Sequence, residues 1–358
     1  MAIPLYRQIK ERLQTEIGQG KWAVGDCLPG EVALSRQFQV SRFTVRQALL
    51  ELTREGLLYR QAGKGTFVKS ASSVQKFNQG KQLGVVLPYR TDAHTGRILK
   101  GAEREAAANG YRVIFVNSQW VADEWSLLDE LYQEGVAGII YYFGISSQAV
   151  ENILRLREKA YPFVLIDHDL PEIPTDFVVA DNFMGSYQAV KHLLALGHTK
   201  IAMICCDKGM SSVEQRIKGY QLALESSGMS LAPELLLFKK DKEISDGEIE
   251  RFIREREMTA IFTADLIAIR VMRLAAKLGL SVPQRLSVVG FDNAPVSSFV
   301  LPSLTTVEQP CEEMGAQAVR ILLNKIRGTG TLTQKVLQTK LIVRLSSAKR
   351  VISEGGCR

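Results

Sequence analysis

Apolar positions change their spacing along the chain, and each change marks a new kind of element. After Pro4, Leu5, Ile9, Leu13 and Ile17 recur on one helical face and the pattern stops at Gly18 and Gly20. That predicts a first helix. A second is expected from about Glu31 to Phe38, after Leu28-Pro29. A third begins at Ser41, which can cap its free amides, and turns Val45, Leu49 and Leu52 toward a small core. Gly56 ends that pattern. Leu57-Leu58-Tyr59-Arg60 and Thr66-Phe67-Val68 then flank Ala62-Gly63-Lys64-Gly65, the glycine-containing turn of a hairpin. Three helices and a hairpin make a winged helix-turn-helix over residues 1–69.

Residues 70–81, SASSVQKFNQGK with its flanks, are small, polar and without period, and read as a linker. From Gln82 short β-rich runs alternate with amphipathic helical patterns. Strands are expected at Leu83–Leu87, Val113–Val116, Gly138–Tyr142, Phe163–Ile166, Ile201–Cys205, Ala260–Phe262 and Ser287–Val289. Helical patterns between them include Arg97–Ala108, Glu124–Gln133, Tyr187–Leu196, Val213–Glu225 and Leu266–Leu278. This alternation predicts parallel sheets covered by helices. Residues 82–345 exceed one ordinary sheet domain, so the fold class is α/β with two lobes and a cleft. Residues 346–358 form a tail.

Charge sharpens the division. Residues 1–69 hold 11 Lys and Arg against 6 Asp and Glu, a net +5 of the chain's +7. The head is suited to phosphate and the body is nearly neutral. With 46% hydrophobic residues over 358 positions, there is ample material for packed cores. Five cysteines without CxxC spacing point to reduced thiols in the cytoplasm rather than to disulfides or a metal site. No apolar run reaches the roughly 20 residues of a membrane span, and no signal-peptide core opens the chain. Neither a cofactor nor a catalytic centre is expected: Asp167-His168-Asp169 is adjacent in sequence but lacks a convergent nucleophile and base.

In the third helix Arg42 and Arg46 lie one turn apart and project together. A major groove admits a helix, and the neighbouring backbone or minor groove can take a lysine-tipped wing. The stretch LPGEVALSRQFQVSRFTVRQALLELTREGLLYRQAGKGTFV resembles the DNA-binding head of GntR-type regulators. That resemblance implies major-groove positions for Arg42, Thr44 and Arg46, and a wing tip at Gly63 and Lys64. Val32 stands where many members have a basic residue.

The body segments LGVVLPYR, VLIDHDLP, VVADNFMGSYQAVKHLLALGHTKIAMI, SSVEQRIKGYQLAL, LGLSVPQRLSVVGFDN and PSLTTVEQPCEEMGAQAVRILL resemble the effector domain of LacI/GalR regulators. The resemblance implies a two-lobed, periplasmic-binding-protein-like domain that dimerises and closes over a small ligand. It implies effector contacts from Tyr89, Asp92, His168, Arg216, Asp265, Asp292 and Gln309, with Thr91 and His94 in the same first loop. Asp can accept from two hydroxyls, Arg can donate to adjacent oxygens, and Phe143, Phe183 or Phe291 can cover an apolar sugar face. Two departures bear on specificity: Ala264-Asp265 replaces an Asn-Asp pair, and Asp92-Ala93-His94 replaces an Asn-Pro-aromatic run.

The expected function is a dimeric, DNA-binding transcriptional regulator of carbohydrate-use genes, reading a palindromic operator and released by a sugar. The rivals are a solute-binding protein, an enzyme built on the same body, a regulator answering to a purine-like corepressor, and an activator.

Overall fold

The computed structural model describes residues 5–18, 21–54, 57–61, 64–69, 81–88, 93–118, 123–143, 147–206, 210–239 and 244–350 of the chain. By internal contacts the chain divides into two units, Met1–Lys81 with Glu130–Ala137, and Gln82–Asp129 with Gly138–Arg358. Gly56, Gly63, Tyr89, Thr91 and Asp92, with linker residues 70–80 and the tail from 351, lie outside the described residues.

The head consists of α1 (Leu5–Gly18), α2 (Glu31–Phe38), α3 (Arg42–Arg54), β1 (Leu58–Gln61) and β2 (Gly65–Val68). Ile9, Leu13 and Ile17 pack with Leu34, Val45, Leu49, Leu52, Leu58 and Val68 in one core, as helical spacing requires. Leu5, on the same predicted stripe, is 57% exposed, one turn beyond the first core residue. Ser41 Oγ accepts the Thr44 N–H at 3.1 Å and so caps α3. The wing strands are antiparallel, with Tyr59 opposite Phe67 and their rings stacked 5.4 Å apart. A bridge from Cys27 to Phe67 ties the segment before α2 to the wing.

The strands of the body are β3 (Gln82–Leu87), β4 (Arg112–Asn117), β5 (Ile139–Tyr141), β6 (Phe163–Ile166), β7 (Phe177–Ala180), β8 (Ile201–Cys206), β9 (Leu236–Lys239), β10 (Ala260–Thr263), β11 (Ser287–Asp292), β12 (Thr305–Glu308), β13 (Gln334–Leu337) and β14 (Lys340–Ile342). Its α-helices are α4 (Ala93–Ala108), α5 (Glu124–Gln133), α6 (Ser147–Glu158), α7 (Asn182–Ala195), α8 (Ser211–Glu225), α9 (Asp246–Glu255), α10 (Asp265–Lys277) and α11 (Cys311–Ile326).

These strands form two six-stranded sheets. The first has the order β13-β7-β6-β5-β3-β4 and is parallel throughout. The second has the order β14-β12-β11-β10-β8-β9 and is parallel except where β14 runs against β12. Each sheet anchors one lobe. The chain crosses between lobes after β7, between β12 and α11, and between β13 and β14.

Within the first lobe α4 and α11 approach closely enough to exclude side chains. A Cβ on Gly101 would stand 1.9 Å from the Glu312 carbonyl oxygen, and one on Gly315 would stand 2.0 Å from that of Ile98. Overpacking there costs about 1–3 kcal/mol, so both positions require glycine. The second lobe packs β8, β10 and β11 between α7 and α8 on one face and α9 and α10 on the other. Parallel strands buried on both faces read as continuous apolar runs, such as Ile201–Cys205, in which Cys205 is a core residue. The carboxyl ends of both sheets open toward one space, where ligands of open α/β sheets bind.

Candidate DNA interface and effector cavity

Arg42, Thr44 and Arg46 occupy the first turns of α3, away from the buried Val45 and Leu49. Arg42 is exposed. The Thr44 hydroxyl lies 2.7 Å from Ser41 Oγ, within the helix cap. Arg46 donates to Glu31 Oε2 through Nε at 3.1 Å and Nη2 at 2.9 Å, while Arg60 of β1 donates to Glu31 Oε1 at 2.9 Å. The hydrogen bond from Arg46 holds the Glu31 carboxyl below its usual range, against the effect of burial. One carboxylate thus orients two guanidinium groups from two elements. Arg60 carried no such signal in the sequence, because its partner stands 29 residues away. Lys64 is exposed in the wing turn, and its N–H donates to the Gln61 carbonyl at 3.0 Å.

Between the lobes of the body lies a cavity of about 190 Å³. The first lobe contributes His94 and Thr95 from α4, Tyr142 after β5, and Asp167 after β6. Across from them stand Arg216 of α8, Phe291 and Asp292 at the end of β11, and Gln309 at a lobe crossing.

Arg216 is fixed from three directions. Its Nε donates to Asn182 Oδ1 at 2.8 Å, Nη2 lies 3.6 Å from Asp292 Oδ1, and the guanidinium carbon sits 4.0 Å from the centre of the Phe291 ring. Gln309 Nε2 donates to Asp292 Oδ1 at 2.7 Å. Asp292 and Asp167 have φ of +114° and +73°, backbone conformations that side chains rarely adopt. Such strain persists where surrounding structure over-determines it, and here it aims both cavity carboxylates.

His94 Nε2 lies 2.7 Å from Asp167 Oδ1, and its Nδ1 lies 3.3 Å from Cys311 Sγ at the start of α11. Although burial opposes the charge, the Cys311 sulfur and the Asp167 carboxylate carry the imidazole pKa well above its ordinary value. Asp167 is correspondingly held well below the carboxylate range, again against burial, chiefly by the charge of His94. The cavity therefore presents two cations, His94 and Arg216, against two carboxylates, Asp167 and Asp292. Among the described residues, two buried oxygens of lining residues, Thr95 Oγ1 and Gln309 Oε1, have no hydrogen-bond partner. Among the described residues no group of three or more His, Cys, Asp or Glu is arranged to hold a metal ion.

Residues 5–68 match the bacterial regulatory proteins of the gntR family, and residues 190–347 match the periplasmic binding protein-like domain. The chain is 31% identical to the arabinose metabolism transcriptional repressor of Geobacillus stearothermophilus, over 96% of this chain and 98% of that protein. It belongs to that family of GntR-headed transcriptional regulators. A second relative, the arabinose metabolism transcriptional repressor of Halalkalibacterium halodurans, is 27% identical over 98% of both chains. Among solved structures, a LacI family transcriptional regulator from Enterococcus faecium with bound ribose superposes with a TM-score of 0.65 at 26% identity, covering 75% of this chain and 99% of that one.

This GntR-headed regulator is a DNA-binding protein with a periplasmic-binding-protein-like α/β body. Of the cleft positions expected from sequence, its cavity brings together His94, Arg216, Asp292 and Gln309. Two others do not line it. His168 is buried, with Nδ1 3.2 Å from Asp167 Oδ2 and Nε2 donating to the Phe143 carbonyl at 2.8 Å, so both nitrogens are spent on the protein. Asp265 begins α10 and turns beneath the cavity, accepting from the Ala294 N–H at 2.7 Å, Ser297 Oγ at 2.6 Å and Thr306 Oγ1 at 2.5 Å. It braces the loop after β11; Ala264 lines the cavity instead. Phe291 reaches the lining, whereas Phe143 packs against His168, 4.7 Å between centroids. Phe183 does not line the cavity. Sequence reasoning missed Asp167 and Thr95. In the strand-end triplet Asp167-His168-Asp169 it is Asp167, not His168, that reaches the lining.

Proposed function

We propose that this regulator is a dimeric repressor of carbohydrate-use genes, acting in the cytoplasm on a two-fold operator and released when a small neutral sugar enters the interlobe cavity. The observation that carries the sugar is the pair of buried oxygens on lining residues, Thr95 Oγ1 and Gln309 Oε1, that have no partner among the described residues. Buried polar groups are almost always hydrogen-bonded, so two exceptions in one cavity call for a ligand rich in hydroxyl groups. The balance of His94 and Arg216 against Asp167 and Asp292 favours a neutral ligand over a sugar phosphate. At about 190 Å³ the space is below the roughly 300–1,000 Å³ of drug-sized sites, in keeping with a monosaccharide. The relatives named for arabinose metabolism and the similar structure holding ribose support the same class.

A sugar spanning the cleft would join Thr95, His94 and Asp167 of one lobe to Arg216 and Asp292 of the other, favouring the closed arrangement. It releases DNA only in so far as it binds the DNA-free form more tightly. Arg42, Thr44, Arg46 and the wing tip at Gly63 and Lys64 would carry the DNA contact. Tyr89 and Asp92, in the first loop, would complete the effector site.

Thermal unfolding of the full-length protein with a panel of pentoses, hexoses, their phosphates, purines and amino acids tests the effector class. A neutral sugar at 100 times its Kd stabilises the protein by about 2.7 kcal/mol, several degrees in Tm. A shift with a purine or a sugar phosphate, and with no neutral sugar, would overturn the reading.

A further inference from the structure

Phe43 stands in the first turn of α3 and is 74% exposed, an unusual place for a large apolar side chain in a protein whose head core is otherwise closed. At about 100° per residue it lies opposite Val45, Leu49 and Leu52, the core-facing positions, and on one outward stripe with Gln47 and Leu50. Arg42 and Arg46 flank it on one side and Thr44 on the other. The residues expected to touch DNA thus surround Phe43, which projects farthest from the core. In helix-turn-helix proteins the N-terminal residues of the reading helix are the ones that meet base edges. In the major groove the sole apolar feature of those edges is the C5-methyl group of thymine.

We propose that Phe43 is a specificity-determining residue of this regulator, packing its ring against a thymine C5-methyl group in each operator half-site. The inference rests on α3 lying in the major groove. Three facts favour DNA over a protein partner as the occupant. The cationic Arg42 stands beside the ring, and Arg46, one turn on, is held by Glu31. The ring belongs to the head of a GntR-type regulator. Phosphate contacts from the arginines and from Lys64 give affinity without sequence information, so an apolar contact at the centre of the surface supplies discrimination that they do not.

The test uses the full chain and its operator, located by footprinting the DNA upstream of its own gene. Half-site thymines are replaced one at a time, symmetrically, by deoxyuridine, which removes only the methyl group. Wild-type protein is expected to lose about fourfold in affinity per methyl at one position, the worth of one buried methyl-sized group. Phe43→Ala should lose a similar factor on the thymine operator and bind the uracil version equally well. Wild-type indifference to every replacement overturns the proposal, and so does equal sensitivity in Phe43→Ala, which would assign the methyl to another residue. Full affinity in Arg42→Ala/Arg46→Ala would remove α3 from the groove and the proposal with it. The double variant therefore separates failure of the helix placement from failure of the Phe43 contact. Unchanged circular dichroism of Phe43→Ala is expected, since the ring touches no core.

Discussion

Arg46 of α3 is held by Glu31 of the preceding helix, with Nη2 donating to Oε2 at 2.9 Å. The same carboxylate takes Arg60 of the wing at 2.9 Å. An acid beside a basic surface weakens phosphate binding, but the half-buried Glu31 fixes the direction of two planar donors. Glu31→Gln should free both guanidinium groups. Affinity for random DNA should rise, the slope of log K against log salt should steepen by about 1, and the ratio of operator to random affinity should fall several-fold. Salt titrations with the two DNAs check this; an unchanged ratio would mean that Glu31 positions nothing used in reading.

Thr95→Val separates the roles of a partnerless hydroxyl. Its Oγ1 is buried without a hydrogen bond among the described residues, so replacing it by a methyl group of similar shape should stabilise the ligand-free protein by about 1 kcal/mol. The same change should weaken sugar binding about five- to tenfold, because one contact is lost. Denaturant unfolding and calorimetric titration give the two signs. A variant that is less stable, or that binds sugar as before, would contradict the assignment.

Burial, and the Asp292 carboxylate beyond it, push Asp265 up to about 7 despite three donated hydrogen bonds. Its ordinary value is 3.8, so the folded protein holds a proton that the unfolded chain has released between these pH values. Stability from this group is complete below about pH 4 and is lost as pH rises through about 7. Asp265→Asn cannot titrate. Measured from pH 4.5 to 9, the Tm difference between wild type and Asp265→Asn should move against the wild type by several degrees and level off above about pH 8. A constant difference would show that Asp265 is ionised throughout.

The head was nearly complete in the sequence, because its core is built from three short-range helical stripes and a glycine turn. In the body β3, β4, β5, β6, β8, β10 and β11 were readable as apolar runs, β4 even though it stands at a sheet edge. The edge strands β13 and β14 were not: β13 alternates exposed and half-buried residues, and β14 is only the three residues Lys340-Leu341-Ile342, since an edge strand pairs on one side only. Helix α9 escaped because its sequence, DGEIERFIRE, is mostly charged; its capping box of Ser245 and Glu248 was the available signal. The cavity was legible where a motif marked a strand end, as at Asp292. It was not where residues meet only through the fold. His94 finds Asp167 across 73 positions and Cys311 across 217, distances over which spacing in sequence says nothing.

The central claim is that a neutral sugar in the cavity releases the head from DNA. Fluorescence anisotropy of labelled operator bound by the full-length protein tests it most directly, titrated with the sugar that raises Tm most. The account predicts a fall to the free-DNA value in wild type, shifted to about five- to tenfold higher sugar in Thr95→Val. Operator binding that ignores a sugar shown to occupy the cavity, or that tightens with it, would contradict the account.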